Sequence, residues 1–138
     1  MSREEIFSKT GKLIARLVRQ ESLWSNSGLA FWSNDSEFVQ VGTWTHPEGA
    51  KLPAHIHNVF PREALRTQET VYVVAGSLRA RLFDDSGESV AEISMGAGDL
   101  LICLAGGHGY SISEEGTKVL EVKNGPYSGP ELDRRRLE

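Results

Sequence analysis

The chain is expected to form a single all-β domain, a sandwich or barrel, behind one short N-terminal helix. Two observations carry this. From Phe38 onward, runs such as FVQVGTWT, TVYVV, LRARLFD, VAEIS, DLLICL and TKVLEVK are short and apolar or alternating, the period of strands with one or both faces buried. Clusters of Gly, Asp, Ser and Asn separate them at short, regular intervals, as in antiparallel β folds.

Ahead of that pattern, residues 3–20 read as an amphipathic helix. Ile6, Leu13, Ile14, Leu17 and Val18 share one stripe, with Arg3, Glu4, Lys12, Arg16 and Arg19 largely outside it. Ser2 is placed as an N-cap with Glu5 three residues on, the capping-box spacing. Gly11 weakens such a helix by about 1 kcal/mol relative to alanine. The stretch SNSGLAFWSNDSE follows as a turn-rich connection, and its Phe31 and Trp32 are expected to pack against a neighbouring subunit. Residues 1–37 therefore form the helix and connector, and residues 38–138 the β domain, all within one structural unit. Within the β region, AGS at 75–77 reads as a tight turn and DDSGE at 84–88 as a hairpin loop. The tail NGPYSGPELDRRRLE reads as an irregular strap over the barrel.

Composition narrows the function classes. The 138 residues hold 15 Lys and Arg against 19 Asp and Glu, a formal charge of -4, so no basic field invites nucleic acid. The longest apolar run, LLICLA at 100–105, is too short to cross a bilayer. The segment MSREEIFSKTGK lacks the apolar core of a signal peptide, which predicts a cytoplasmic location. The single cysteine, Cys103, excludes an intrachain disulfide and reads as a small buried hydrophobe.

Three of the four histidines stand where one metal ion needs them. In His55-Ile56-His57 an extended backbone points both imidazoles the same way. Glu69 opens the run ETVYVVAG and offers a carboxylate from the next strand, and His108 in LAGGHGY adds a third imidazole from a later one. Three imidazoles and a carboxylate suit one divalent transition metal, Fe, Mn, Ni, Zn or Cu, without choosing among them. Four protein ligands on an octahedral ion leave positions open for substrate, the mark of a catalytic site. His46, before Pro47, reads as a surface-turn residue.

These residues resemble the motifs of the cupin superfamily. Its first motif runs here from Gly49 through AKLPA, His55, Ile56 and His57 to Glu69, TVYVVA and Gly76; the spacer NVFPREALRTQ, residues 58–68, is eleven residues long where three or four are usual. Glu63 in that loop competes with Glu69; Glu69 is preferred because its distance to Gly76 matches the family and it abuts a strand. The second motif is Gly98-Asp99, LLIC, Leu104, Ala105, Gly106, Gly107 and His108. It is one residue short and lacks the family's proline and its later asparagine.

The resemblance covers roughly residues 38–123. It implies a cupin-type double-stranded β-helix, or jelly roll, holding a divalent metal on His55, His57, Glu69 and His108. It further implies an enzyme of isomerase or oxygenase type acting on a small polar, sugar-derived molecule, or a non-catalytic binder of a sugar or effector. Tyr72 and Tyr110 are candidate proton donors. Arg62 and Arg66 in the inserted loop are candidate substrate-binding groups for an anion, whereas Arg79 and Arg81 read as a solvated face. Small cupins commonly pair, and exposed strand edges invite pairing, so a homodimer is expected.

Overall fold

A computed structural model describes residues 2–138 and shows ten strands and two single-turn helices. The strands are β1 (Glu4–Phe7), β2 (Leu13–Val18), β3 (Gly28–Phe31), β4 (Gly42–Thr45), β5 (Glu69–Ala75), β6 (Ser77–Phe83), β7 (Ser89–Gly96), β8 (Leu100–Cys103), β9 (Gly107–Ile112) and β10 (Lys118–Lys123). The helices are α1 (Gln20–Leu23) and α2 (Pro130–Asp133). All pairings are antiparallel. One sheet runs β1-β2-β8-β5-β10, a second β7-β6-β9, and β3-β4 forms a separate hairpin.

The central strands β2, β8 and β5 of the five-stranded sheet are buried on both faces, which explains their uninterrupted apolar runs. Val71, Val73, Leu101 and Cys103 meet Leu78, Ala80, Leu82, Ile93 and Met95 of the three-stranded sheet. On the opposite face Leu100, Ile102 and Tyr72 meet Leu23, Ala30, Trp32 and Val39, so α1 and the β3-β4 hairpin form a third layer. Each large side chain sealed in these cores contributes about 1.5–3 kcal/mol of apolar transfer.

The N-terminal helix expected over residues 3–20 is not formed; that stretch is the β1-β2 hairpin. Gly11, with φ of +87°, turns the chain in the middle of the would-be helix. Beyond it LIARLV becomes a central strand, and the apolar positions that suggested one helical stripe instead serve two buried faces. Arg16, expected largely outside the apolar stripe, is 0% exposed. Its guanidinium grips Glu37 through two bonds of 2.8 and 2.9 Å, reaches Glu5 at 3.3 Å and donates to the Trp32 carbonyl at 2.9 Å. Trp32, expected at a subunit contact, is also fully buried within its own chain.

Both turns read from sequence are present. DDSGE closes the β6-β7 hairpin, with Asp84 accepting backbone bonds from Ser86 and Glu88. Gly76 passes the chain from one sheet to the other at φ of +81°, where a Cβ would lie 2.7 Å from the Thr117 Cα. Gly98-Asp99 makes the β7-β8 turn. The Asp99 carboxylate accepts from the Gly96 and Gln20 amides and from Arg19. No helix among the described residues is long and apolar enough to cross a membrane.

Candidate functional site

Between β4 and β5 the chain has no regular structure, and every residue from 44 to 67 is exposed. This arm ends at a clamp. Buried Gln68 receives the Phe38 amide on its Oε1 at 2.7 Å, donates to the Leu104 carbonyl at 3.2 Å, and gives its own amide to Asn124 Oδ1 at 2.7 Å. The next residue, Glu69, is thereby fixed as the first of β5 with its side chain only 8% exposed.

Glu69 shares the inward face of β5 with Val71 and Val73, by the alternation of a strand. His108 and Tyr110 stand two apart on β9 and point at it from the other sheet. His108 Nε2 lies 2.8 Å from Glu69 Oε1, and the Tyr110 hydroxyl donates to the same oxygen at 3.1 Å. Cys103, directly across from Glu69 on β8, brings its sulfur to 3.6 Å from the Tyr110 oxygen. Glu121 of β10 approaches Glu69 from the sheet edge and lines the same cavity.

Charge and burial set the protonation states of this cluster. Burial pushes the Glu69 carboxyl up, but the hydrogen bond and charge of His108, with bonds from Glu121 and Tyr110, hold it at about 2. For His108 burial acts downward, and hydrogen bonds to Cys103 and Glu69, with the charge of the Glu69 carboxylate, raise it to about 10. Glu121 is pushed up first by its hydrogen bond to Glu69 and then by burial. Burial, together with the negative charges near it, drives Tyr110 far above its ordinary value, so its proton is retained. The arrangement is a carboxylate-imidazolium pair with a protonated phenol on the same oxygen.

The pair opens into two adjoining cavities of about 630 and 650 Å³. Glu69, Tyr110, Glu121 and Lys123 line the first beside the C-terminal strap, whose Leu137 and Glu138 form one wall. Arg81 Nη1 holds Glu138 Oε2 at 3.0 Å. Cys103, Arg62, Leu65 and Arg66 line the second, and His108 borders both.

The residues singled out from sequence divide accordingly. Glu69 and His108 are brought together; His55 and His57 are not brought to them. Both lie in the exposed arm, their rings 4.9 Å apart and edge to face, and line neither cavity. Among the described residues no three of His, Cys, Asp or Glu are grouped as a metal ion requires. The expected set of three imidazoles and a carboxylate is therefore not assembled within one chain, because the long spacer leaves His55-x-His57 off any strand.

Glu63 is likewise exposed in the arm. Arg62 lies over the Phe60 ring at 3.8 Å from its centroid, a cation–π contact, while Arg66 gives its carbonyl to Asn124. Tyr72 packs against the opposite core, away from Glu69 and His108. Arg79 pairs with Glu92 on the solvated face, and His46 is exposed beside Trp44. Sequence reasoning missed Glu121 and Lys123, and it gave Cys103 no polar neighbour. The signal for the first two was their spacing in KVLEVK, where Glu121 and Lys123 share the face that lines the cavity while Leu120 and Val122 turn outward.

Gly106 supports His108 from below. Its φ is +68°, and a Cβ there would fall 2.2 Å from the Phe83 carbonyl oxygen. Gly106→Ala is expected to cost roughly 1–3 kcal/mol, the usual scale of backbone strain. Chemical denaturation measures it, and a change below about 0.5 kcal/mol would show that the β9 entry is free to relax.

No family model, curated protein or solved structure matches the chain.

Proposed function

We propose that the protein is a divalent-metal-binding cupin in which Glu69 and His108 supply two ligands and His55 and His57 the others. The supporting observation is the meeting of Glu69 and His108. A buried carboxylate from one sheet and an imidazole from the other converge at 2.8 Å on a cavity mouth, from positions far apart in sequence.

A bound transition metal with open positions would polarise a carbonyl, acidify a water or, as iron, activate dioxygen. The chain's own groups define the rest. Tyr110 keeps its proton at neutral pH and presents it at Glu69, so it is placed to donate to a bound oxygen. Glu121 can exchange a proton with Glu69. Arg62 and Arg66 line the adjoining cavity and suit an anionic group on a small polar, sugar-derived substrate. On this reading the protein is an isomerase or oxygenase, works as a cytoplasmic homodimer and uses one metal per chain.

Metal analysis with titration calorimetry tests the reading. Wild-type protein should take up near one equivalent of Fe, Mn, Ni, Zn or Cu, and Glu69→Gln or His108→Ala should weaken uptake by at least about tenfold. Failure of the wild type to bind any of these ions would sink the proposal.

A non-catalytic binding module is the second reading. It is favoured by the mixed-charge lining of the two cavities, where Arg62 and Arg66 in one and Arg134, Arg135 and Arg136 in the other stand among carboxylates such as Asp85 and Asp133, a polar surface suited to a hydroxylated ligand. Saturable binding of a sugar acid without turnover in the metal-loaded protein would select it.

A further inference from the structure

Half of the proposed metal site is built, and the other half, His55 and His57, hangs on the part of the arm, residues 46–61, that is exposed throughout and lines neither cavity. We infer that the site is completed in trans: the arm of a second copy supplies His55 and His57 to the Glu69–His108 pair, in a dimer that exchanges arms. This rests on the metal reading above and concerns which chain provides the ligands.

Three observations point to a second copy. First, β9 pairs only with β6, so its other edge is an open row of backbone donors and acceptors. An extended segment laid along that edge runs about 4.8 Å from β9. Cross-strand neighbours on one face stand about 4.5–5.5 Å apart at Cβ. His-x-His in that position would place both imidazoles beside His108, on the face that carries Glu69.

Second, the arm carries apolar side chains that its own chain does not cover: Leu52 is 54% exposed, Ile56 91%, Val59 103% and Leu65 75%. Such a run in a structureless connection longer than about 15 residues marks a segment shaped for a partner. Third, the arm departs from the β3-β4 hairpin, which covers the side of the five-stranded sheet facing away from β9. The same hairpin turns Leu29, Phe31 and Trp44 outward, each more than half exposed, and Val74, Leu120 and Val122 are also bare. A two-fold dimer lets each arm cross to the other copy and cover such surface twice over.

The test uses two metal-deficient variants of the full chain. The arm variant is His55→Ala with His57→Ala, at exposed positions where folding is not at risk. The barrel variant is Glu69→Gln, with His108→Asn as a substitute should Glu69→Gln fail to fold by circular dichroism. Each alone should hold little metal and run by light scattering as a dimer, twice the 15.2 kDa of one chain. Unfolded together in equal amounts and refolded, they should regain about a quarter of wild-type metal. Random pairing makes half the dimers mixed, and each mixed dimer has one site intact in arm and barrel alike.

Ligation within one chain predicts no recovery. A metal-loaded wild type whose mixed variants recover nothing, or a metal-loaded monomer, would overturn arm exchange while leaving the metal reading standing. A wild type that binds no metal would instead bring down the metal reading, and the inference with it.

Discussion

Glu37→Ala should lower folding stability by about 3–5 kcal/mol, the cost of removing one partner from a buried ion pair. Arg16 is fully buried in the middle of the five-stranded sheet, and Glu37 neutralises it through two parallel bonds. Without that carboxylate the guanidinium keeps only Glu5 at 3.3 Å and one carbonyl. Replacing both partners, Arg16→Met with Glu37→Leu, should be milder than either single change because no uncompensated charge stays inside. The exposed pair Arg79–Glu92 is the control, and Arg79→Ala should cost no more than about 1 kcal/mol. Urea titrations measure all three, and equal effects at the buried and exposed pairs would refute the argument.

The same pair predicts a pH dependence. Burial pushes the Glu37 carboxyl up, but hydrogen bonds from Arg16 and the Asn34 amide, with the charge of Arg16, leave it below the ordinary carboxylate value. A group depressed in the folded state stabilises it fully above the unfolded value of about 4.3. That contribution is lost as pH falls through the folded value. Wild-type stability should therefore decline on acidification below about pH 5, and the decline should be shallower in Arg16→Met/Glu37→Leu.

Trp32→Ala is expected to cost about 3–5 kcal/mol, as for other fully buried large aromatics. The indole fills the second core, its Nε1 donates to Thr43 Oγ1 at 3.0 Å, and its carbonyl receives Arg16. Trp32→Phe keeps most of the volume and loses only the bond to Thr43, so its penalty should be well under half as large. Thermal and urea unfolding compare them. If Trp32→Ala costs less than about 1 kcal/mol, the hairpin layer is not a cooperative part of the domain.

Where the sequence was informative, it was because a single physical constraint ruled the residues. The period-two runs from Thr70 to Lys123 became strands because backbone pairing and burial agree there. At LIARLV they did not agree with the simplest pattern. A strand buried on both faces has no strict alternation, and its apolar positions imitate a helical stripe when a buried arginine stands among them. Edge strand β10 inverts the usual rule, since its inward face lines a polar cavity. Glu69 and His108 were legible because residue type and spacing to nearby turns located them. Glu121, Cys103 and the fate of His55 and His57 depend on which strands lie side by side, which no local window contains.

Pairing of Ala15 with Cys103 has a consequence for synthesis. While the chain emerges from the ribosome, β2 has no neighbour on its β8 side until nearly three quarters of the protein has been made, and Arg16 already carries its charge. Loop closure over such a span is slow. Nascent chains arrested before Leu100 should therefore expose β2 and its apolar flanks to chaperones and proteases, and protection should arrive abruptly once β8 clears the exit tunnel.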